Sequence, residues 1–198
     1  MTMPSLTVLF IVMCEVTSSP LTQAQTVPSV LYFSVMEEDG QALVGDVRTA
    51  SGIDNILSDV DREAIRFKFL TQSSQNQEYF AVDPTTGVLR TVQPIDRDVI
   101  CEGVTSACEV EVDVATEPRE LLYIFRVVVT VSDINDNPPR FEENSQLIQI
   151  PESTASGAAF PLASAYDPDI GMFGIQGFKL DPQLPSFALE ANVNPDGS

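Results

Sequence analysis

Carboxylates carry most of the chemistry this chain can offer. Asp133, Asn135, Asp136 and Asn137 place oxygen-bearing side chains at four positions between residues 133 and 137, directly before Pro138 and Pro139. Asp96-Arg97-Asp98 and Asp167-Pro168-Asp169 are two further acidic pairs with one residue between their members. In extended chain, residues i and i+2 face the same way, so each pair can aim two carboxylates at one point. Calcium takes roughly six to eight oxygens, at about 2.3–2.6 Å, from carboxylates, amides and backbone carbonyls. Asp, Asn and Pro also make ordinary turns. Three such clusters around one boundary, with Glu37 and Glu152 closing two alternating runs, fit a cation site better than they fit turns alone.

Composition removes several competing chemistries. There is no His, so His-based triads, His-ligated zinc and His-ligated haem are excluded. The balance of 29 Asp+Glu against 10 Lys+Arg, a formal charge of −19, argues against nucleic-acid binding, which needs clustered cations on phosphates. Hydrophobic residues make up 43% and charged residues 20%, too apolar a mixture for an acidic disordered tail. A glycosidase would need a carboxylate pair in a cleft with one acid of raised pKa, whereas these acids sit at a linker. The reading is therefore not an enzyme, and no small-molecule substrate is expected.

The elements that must position these acids are strands. Residues 30–35, 42–47, 66–70, 78–82, 88–92, 109–114 and 121–131 are short apolar or alternating runs separated by Gly, Asp, Asn and Ser. Asp83-Pro84-Thr85-Thr86-Gly87 is a turn in which Pro presets φ and Gly supplies a positive φ. No segment shows a sustained helical period. Some seven strands in the first unit predict an all-β chain built as a β-sandwich. Pro138-Pro139 cannot continue a central strand and marks a boundary. Beyond it, Gln146-Leu147-Ile148-Gln149-Ile150-Pro151-Glu152 echoes Leu31-Tyr32-Phe33-Ser34-Val35-Met36-Glu37, the start of an internal repeat that is cut short.

The N-terminus bears on compartment. Leu6 to Cys14 is an apolar run too short to span a bilayer, and Thr22-Gln23-Ala24 offers small residues for cleavage before Gln25. Residues 1–24 are read as a signal peptide, although Met1 to Ser5 lacks Lys and Arg. No other run is long enough to span a membrane. Cleavage would leave Cys101 and Cys108 as an even pair, and an oxidising compartment favours a disulfide over two reduced thiols in an exposed loop. There is no Asn-x-Ser/Thr sequon, so N-glycosylation is not expected.

Asp133-Ile134-Asn135-Asp136-Asn137-Pro138-Pro139 resembles the D-x-N-D-N-x-P linker of the cadherin superfamily. Asp167-Pro168-Asp169 resembles its D-x-D motif, Asp96-Arg97-Asp98 its D-R-E motif, and Glu37 its strand-end glutamate. Thr86-Gly87-Val88-Leu89 precedes Ile95-Asp96-Arg97 as in cadherin repeats. The short Cys101–Cys108 loop, Leu43-Val44-Gly45-Asp46-Val47 and Phe187-Ala188-Leu189 resemble protocadherins in particular. The resemblance implies tandem Greek-key β-sandwich repeats: residues 25–137 as the first extracellular repeat and 138–198 as part of the second.

It also implies about three calcium ions between the repeats. Glu37, Asp96, Asp98 and Asp136 would serve the outermost. Glu37, Asp98, Asp133, Asp136 and Asp169, with the Ile134 carbonyl, would hold the middle ion. Asn135, Asp167, Asp169 and the Asn137 carbonyl would hold the third, and Glu152 would belong to the following junction. The implied function is calcium-dependent cell–cell adhesion or recognition at the extracellular face of the plasma membrane. Its partner would be the same protein on an apposed cell, and membrane attachment would come through a segment absent from this chain. The alternative is a non-adhesive receptor or heterophilic ligand that uses the repeats as a calcium-stiffened stalk. The absence of Trp argues against Trp-anchored strand exchange. Departures from the pattern are Asp98 in place of Glu, Phe173 in place of the usual Asn, and a cysteine loop one residue longer than usual. Asp61-Arg62-Glu63 matches D-R-E literally but lies too early in the repeat, and Glu37 is preferred to its neighbour Glu38.

Overall fold

The computed structural model describes residues 26–70, 76–104 and 106–191. The signal-peptide reading of residues 1–24 lies outside them. Seven strands form two facing sheets: β1 (Val30–Met36), β2 (Leu43–Asp46), β3 (Arg66–Phe69), β4 (Phe80–Val82), β5 (Val88–Thr91), β6 (Cys108–Glu117) and β7 (Ile124–Ser132). One sheet runs in the order β1-β7-β6-β3 and the other β2-β5-β4. The all-β expectation holds, and the sandwich has the non-sequential neighbours of a Greek key.

Alternation explains which faces meet. In β6, Cys108, Val110, Val112 and Val114 point inward while Glu109 and Glu111 face solvent. In β7, Phe125, Val127, Val129 and Val131 face the same interior, and Leu31 and Val35 of β1 join them. Val44, Phe80 and Leu89 come from the smaller sheet. Burying each such side chain contributes roughly 1.5–3 kcal/mol, so this interior is the main source of stability. The two sheets approach closely at Gly45, where an added Cβ would stand 2.3 Å from the Phe33 ring. The turn over Asp83-Pro84-Thr85-Thr86-Gly87 forms as its sequence predicts. Gly87 takes φ 75° and the Asp83 carboxylate accepts from the Thr85 and Thr86 amides at 2.9 and 2.7 Å.

Among the described residues three short α-helices depart from the all-strand expectation, α1 (Val47–Ser51), α2 (Asp59–Ala64) and α3 (Arg97–Ile100), besides three single 3₁₀ turns. Each α-helix is capped by a side chain, Asp46, Ser58 and Asp96 respectively, and none is long enough for a 3.6-residue period to show. The strand expected over 42–47 accordingly ends at Asp46. After the prolines, β8 (Arg140–Phe141) pairs antiparallel with β9 (Ala165–Tyr166). The strand expected at residues 146–152 is not formed. Its alternating residues find no ladder partner among the described residues, and an unpaired strand has no stabilising bonds.

Strand direction decides which chain ends meet. β1 pairs parallel with β7, Val30 opposite Arg126 through Met36 opposite Ser132, so both strands end at the same edge. β6 runs antiparallel to β7 with Cys108 opposite Val131, so β6 begins there. One end of the sandwich thus gathers the residues after β1, before β6 and after β7.

Candidate metal centre

The parallel β1–β7 pair delivers Glu37 and Asp133 side by side, each one residue past its strand, and the Glu37 amide donates to the Ser132 carbonyl at 3.1 Å. Glu37 is 3% exposed. Its two carboxylate oxygens accept from the Arg97 amide and the Ile134 amide, both at 2.8 Å. One side chain therefore ties the end of β1 to the loop after Ile95 and to the linker. Glu38 takes φ 60° and is exposed.

Asp96 and Asp98 do not lie in extended chain as their spacing first implies. Asp96 is the N-cap of α3, its carboxylate accepting from the Val99 amide at 3.0 Å, and Asp98 sits in the first turn. The helical turn rotates the two carboxylates apart, so Asp98 faces the linker while Asp96 stays exposed. Between them Arg97 is 2% exposed, a residue whose role the sequence does not announce. Its only signal there is a lone cation within an acidic triplet.

The linker is stitched to the segment that comes after β9. Asp133 accepts from the Ile170 amide at 2.9 Å, and Asp169 accepts from the Asn137 amide at 3.3 Å. Asp167, itself buried, accepts from the Asp169 amide at 3.2 Å. Of the residues singled out from sequence, the structure gathers Glu37, Asp98, Asp133, Asp136, Asp167 and Asp169 at this junction. Ile134 lies there through its amide.

Oxygens of Glu37, Asp98 and Asp133 lie within 4.8 Å of one another, as do oxygens of Asp98, Asp136 and Asp169. Asp98 belongs to both groups, and Asn135 is exposed. In the second group the Asn137 side-chain amide donates to Asp98, Asp136 and Asp169 at 2.7, 2.8 and 3.1 Å, so three carboxylates converge on one nitrogen. Such crowding is costly: two like charges 4 Å apart repel by about 4 kcal/mol at an effective dielectric constant near 20. Burial, opposed by its two amide hydrogen bonds, raises the Glu37 carboxyl to about 7 from an ordinary 4.5. Burial, with neighbouring carboxylates, also raises Asp98, Asp136 and Asp167. One oxygen of Asp133 is buried with no hydrogen-bond partner. A buried acceptor left unpaired costs about 1–3 kcal/mol, and a cation is the partner this all-oxygen set is suited to receive.

The family model for cadherin-like domains matches residues 30–118. Human protocadherin gamma-C5 is 37% identical over 169 residues, covering 84% of this chain and 17% of that protein. The chain belongs to the cadherin superfamily and is protocadherin-like. Human protocadherin gamma-B3 is 41% identical over 122 residues, 62% of the chain and 13% of that protein. The chain thus spans less than a fifth of the length of these protocadherins. Among solved structures, protocadherin gamma C5 EC1-3 superposes with a TM-score of 0.57 at 38% identity, covering 71% of this chain and 43% of that one. Protocadherin gamma B7 extracellular cadherin domains 1-4 superpose with a TM-score of 0.64 at 33% identity, covering 85% and 38%. The cadherin fold is therefore shared well beyond the residues that the family model spans.

Proposed function

We propose that residues 25–137 form a first extracellular cadherin repeat and 138–198 part of a second, joined by a calcium-binding linker in a cell-adhesion ectodomain. The observation that carries this reading is the pair of carboxylate groups sharing Asp98, with a buried Asp133 oxygen lacking any hydrogen-bond partner. About three ions would bind. Glu37, Asp96, Asp98 and Asp136 serve the outermost; Glu37, Asp98, Asp133, Asp136, Asp169 and the Ile134 carbonyl serve the middle one. Asn135, Asp167, Asp169 and the Asn137 carbonyl serve the third.

Calcium supplies charge neutralisation and bridging ligation at this junction. The chain's residues do the rest: the ends of β1 and β7 fix Glu37 and Asp133, α3 aims Asp98, and Asp169 reaches across from the segment after β9. Without the ion the acids repel and the junction flexes. With it the two repeats become a stiff rod that presents its outer surfaces in fixed register. Extracellular modules of this type bind in the range of about 10⁻⁴–10⁻³ M. The protein acts by adhesion and not by catalysis, at the extracellular face of the plasma membrane, and its partner is the same protein on an apposed cell.

Analytical ultracentrifugation of the chain completed through whole repeats, in millimolar calcium and then in excess EGTA, tests the proposal. Dimers that require calcium support homophilic adhesion. A monomer that merely elongates with calcium favours the stalk reading, and indifference to chelation overturns the calcium linker itself.

A further inference from the structure

Arg97 is the largest fully buried side chain of the described residues, and it is a cation. A guanidinium taken out of water must be repaid by partners, and here they come from two directions. One terminal nitrogen donates to Asp98 at 3.2 Å and stands 3.7 Å from Asp133, too far to satisfy that oxygen. The other donates to the Val104 carbonyl at 2.8 Å. The grip is firm toward the Val104 loop and loose toward the acids. That loop is itself fastened: Cys101 is bonded to Cys108, the Cys101 amide donates to the Arg97 carbonyl at 2.8 Å, and the Val104 amide donates to the Cys101 carbonyl at 2.9 Å. A cleft of about 80 Å³ separates the loop from residues 166–170, with Arg97 and Asp98 among its walls.

The carboxylates that Arg97 faces, Asp98 and Asp133, are two of the three in the group completed by Glu37. We propose that Arg97, clamped by the Cys101–Cys108 loop, is a resident counter-cation of the calcium site. It is a positioning residue that holds these acids together before the ion arrives and weakens the ion's binding once it does. The inference rests on the reading of the junction as a calcium linker. A purely packing role for the Arg97 stem makes a different prediction, because lost packing lowers stability equally with and without the ion.

The test is thermal melting of the secreted chain with excess EGTA and with millimolar calcium, together with calcium titration by calorimetry. For Arg97→Met the ion-free Tm falls, the calcium-induced rise in Tm grows, and calcium binds about fivefold tighter or more, the lower range of couplings between interacting sites. Arg97→Lys keeps the charge and restores the native increment. Opening the loop with Cys101→Ser and Cys108→Ser together moves the increment in the same direction as Arg97→Met, and adds nothing in the Arg97→Met background. Should Arg97→Met fail to fold, the cysteine variant and Arg97→Lys carry the test. An unchanged or smaller calcium increment in the folded variants overturns the proposal. No calcium increment in the native chain overturns the calcium reading instead.

Discussion

The sandwich interior and the junction at its end are both buried, but by different matter. Phe67, Phe125, Val112 and Val127 are at most 1% exposed, in an interior of apolar side chains. At the junction the comparably buried residues are Glu37, Arg97 and Asp169, at 3%, 2% and 2%. Burial of apolar area stabilises in proportion to area and is indifferent to ions. Burial of charge stabilises only when the opposite charge is supplied, and costs free energy when it is not. One chain thus combines an apolar body with a charged joint, and the proposed calcium linker makes only the second responsive to ions.

The largest effect should come from the body. Phe125→Ala removes a fully buried ring near the start of β7 and should cost about 3–5 kcal/mol by denaturant unfolding. The loss should be equal in calcium and in EGTA. A loss that depended on calcium would mean that interior and junction are not separate systems. Next comes the joint. Asp133→Asn keeps an acceptor for the Ile170 amide but removes a charge, and should weaken calcium binding by more than about tenfold, since ligand charge sets affinity in such sites. In EGTA the same variant should melt no lower than the native chain, because it relieves repulsion with Asp98. A clear loss of ion-free stability would break the comparison.

Legibility in the sequence divides along the same line. The strands of the body announce themselves by alternation, as in Glu109-Val110-Glu111-Val112, because one face meets apolar matter and the other water. The acids of the joint are legible as types and spacings, but their mutual geometry is not. Extended chain is the wrong geometry for Asp96 and Asp98, since α3 intervenes, and a four-residue helix leaves no periodic trace. The parallel pairing of β1 with β7 brings Glu37 beside Asp133 across most of a domain, and nothing local encodes it. Arg97 gives no warning because an arginine is ordinarily a surface residue. Only the surrounding acids and the Val104 carbonyl make its burial tolerable.

Acidity should separate the two regions further. In the ion-free chain Glu37 titrates near 7 rather than 4.5, so between those values the folded state binds its proton more tightly than the unfolded one. Its favourable contribution is complete below about 4.5 and is lost as pH rises through about 7. The raised Asp98, Asp136 and Asp167 act in the same sense. In a chelator effective across the range, Tm should therefore climb as pH is lowered from about 8 to about 5. In calcium the climb should vanish or reverse, because protons then compete with the ion. Glu37→Gln should flatten the EGTA profile, and a profile that Glu37→Gln leaves unaltered would remove that residue from the account.

The smallest effect sharpens the comparison most, because it changes the same chemistry in both regions. Ser58 caps α2 by accepting from the Asp61 amide at 3.2 Å, and Asp96 caps α3 by accepting from the Val99 amide at 3.0 Å. Replacing either with Ala should cost about 1 kcal/mol, the usual loss when a helix N-cap is removed. The helix that Ser58 caps carries Asp61-Arg62-Glu63, where Arg62 donates to the Asp54 carbonyl at 2.8 Å and pairs with Asp59 at 2.8 Å, neither of them a junction residue. That triplet has the right letters in the wrong place, so Ser58→Ala should leave the calcium-induced rise in Tm untouched. Asp96 adds negative charge next to Asp136, one of the causes that lift Asp136 above its ordinary value. Asp96→Ala should therefore lower the calcium increment as well as the ion-free Tm, while Asp96→Ser, which restores a cap without the charge, should recover only the latter. Equal calcium responses in the two alanine variants would mean that the charge at Asp96 plays no part in the joint.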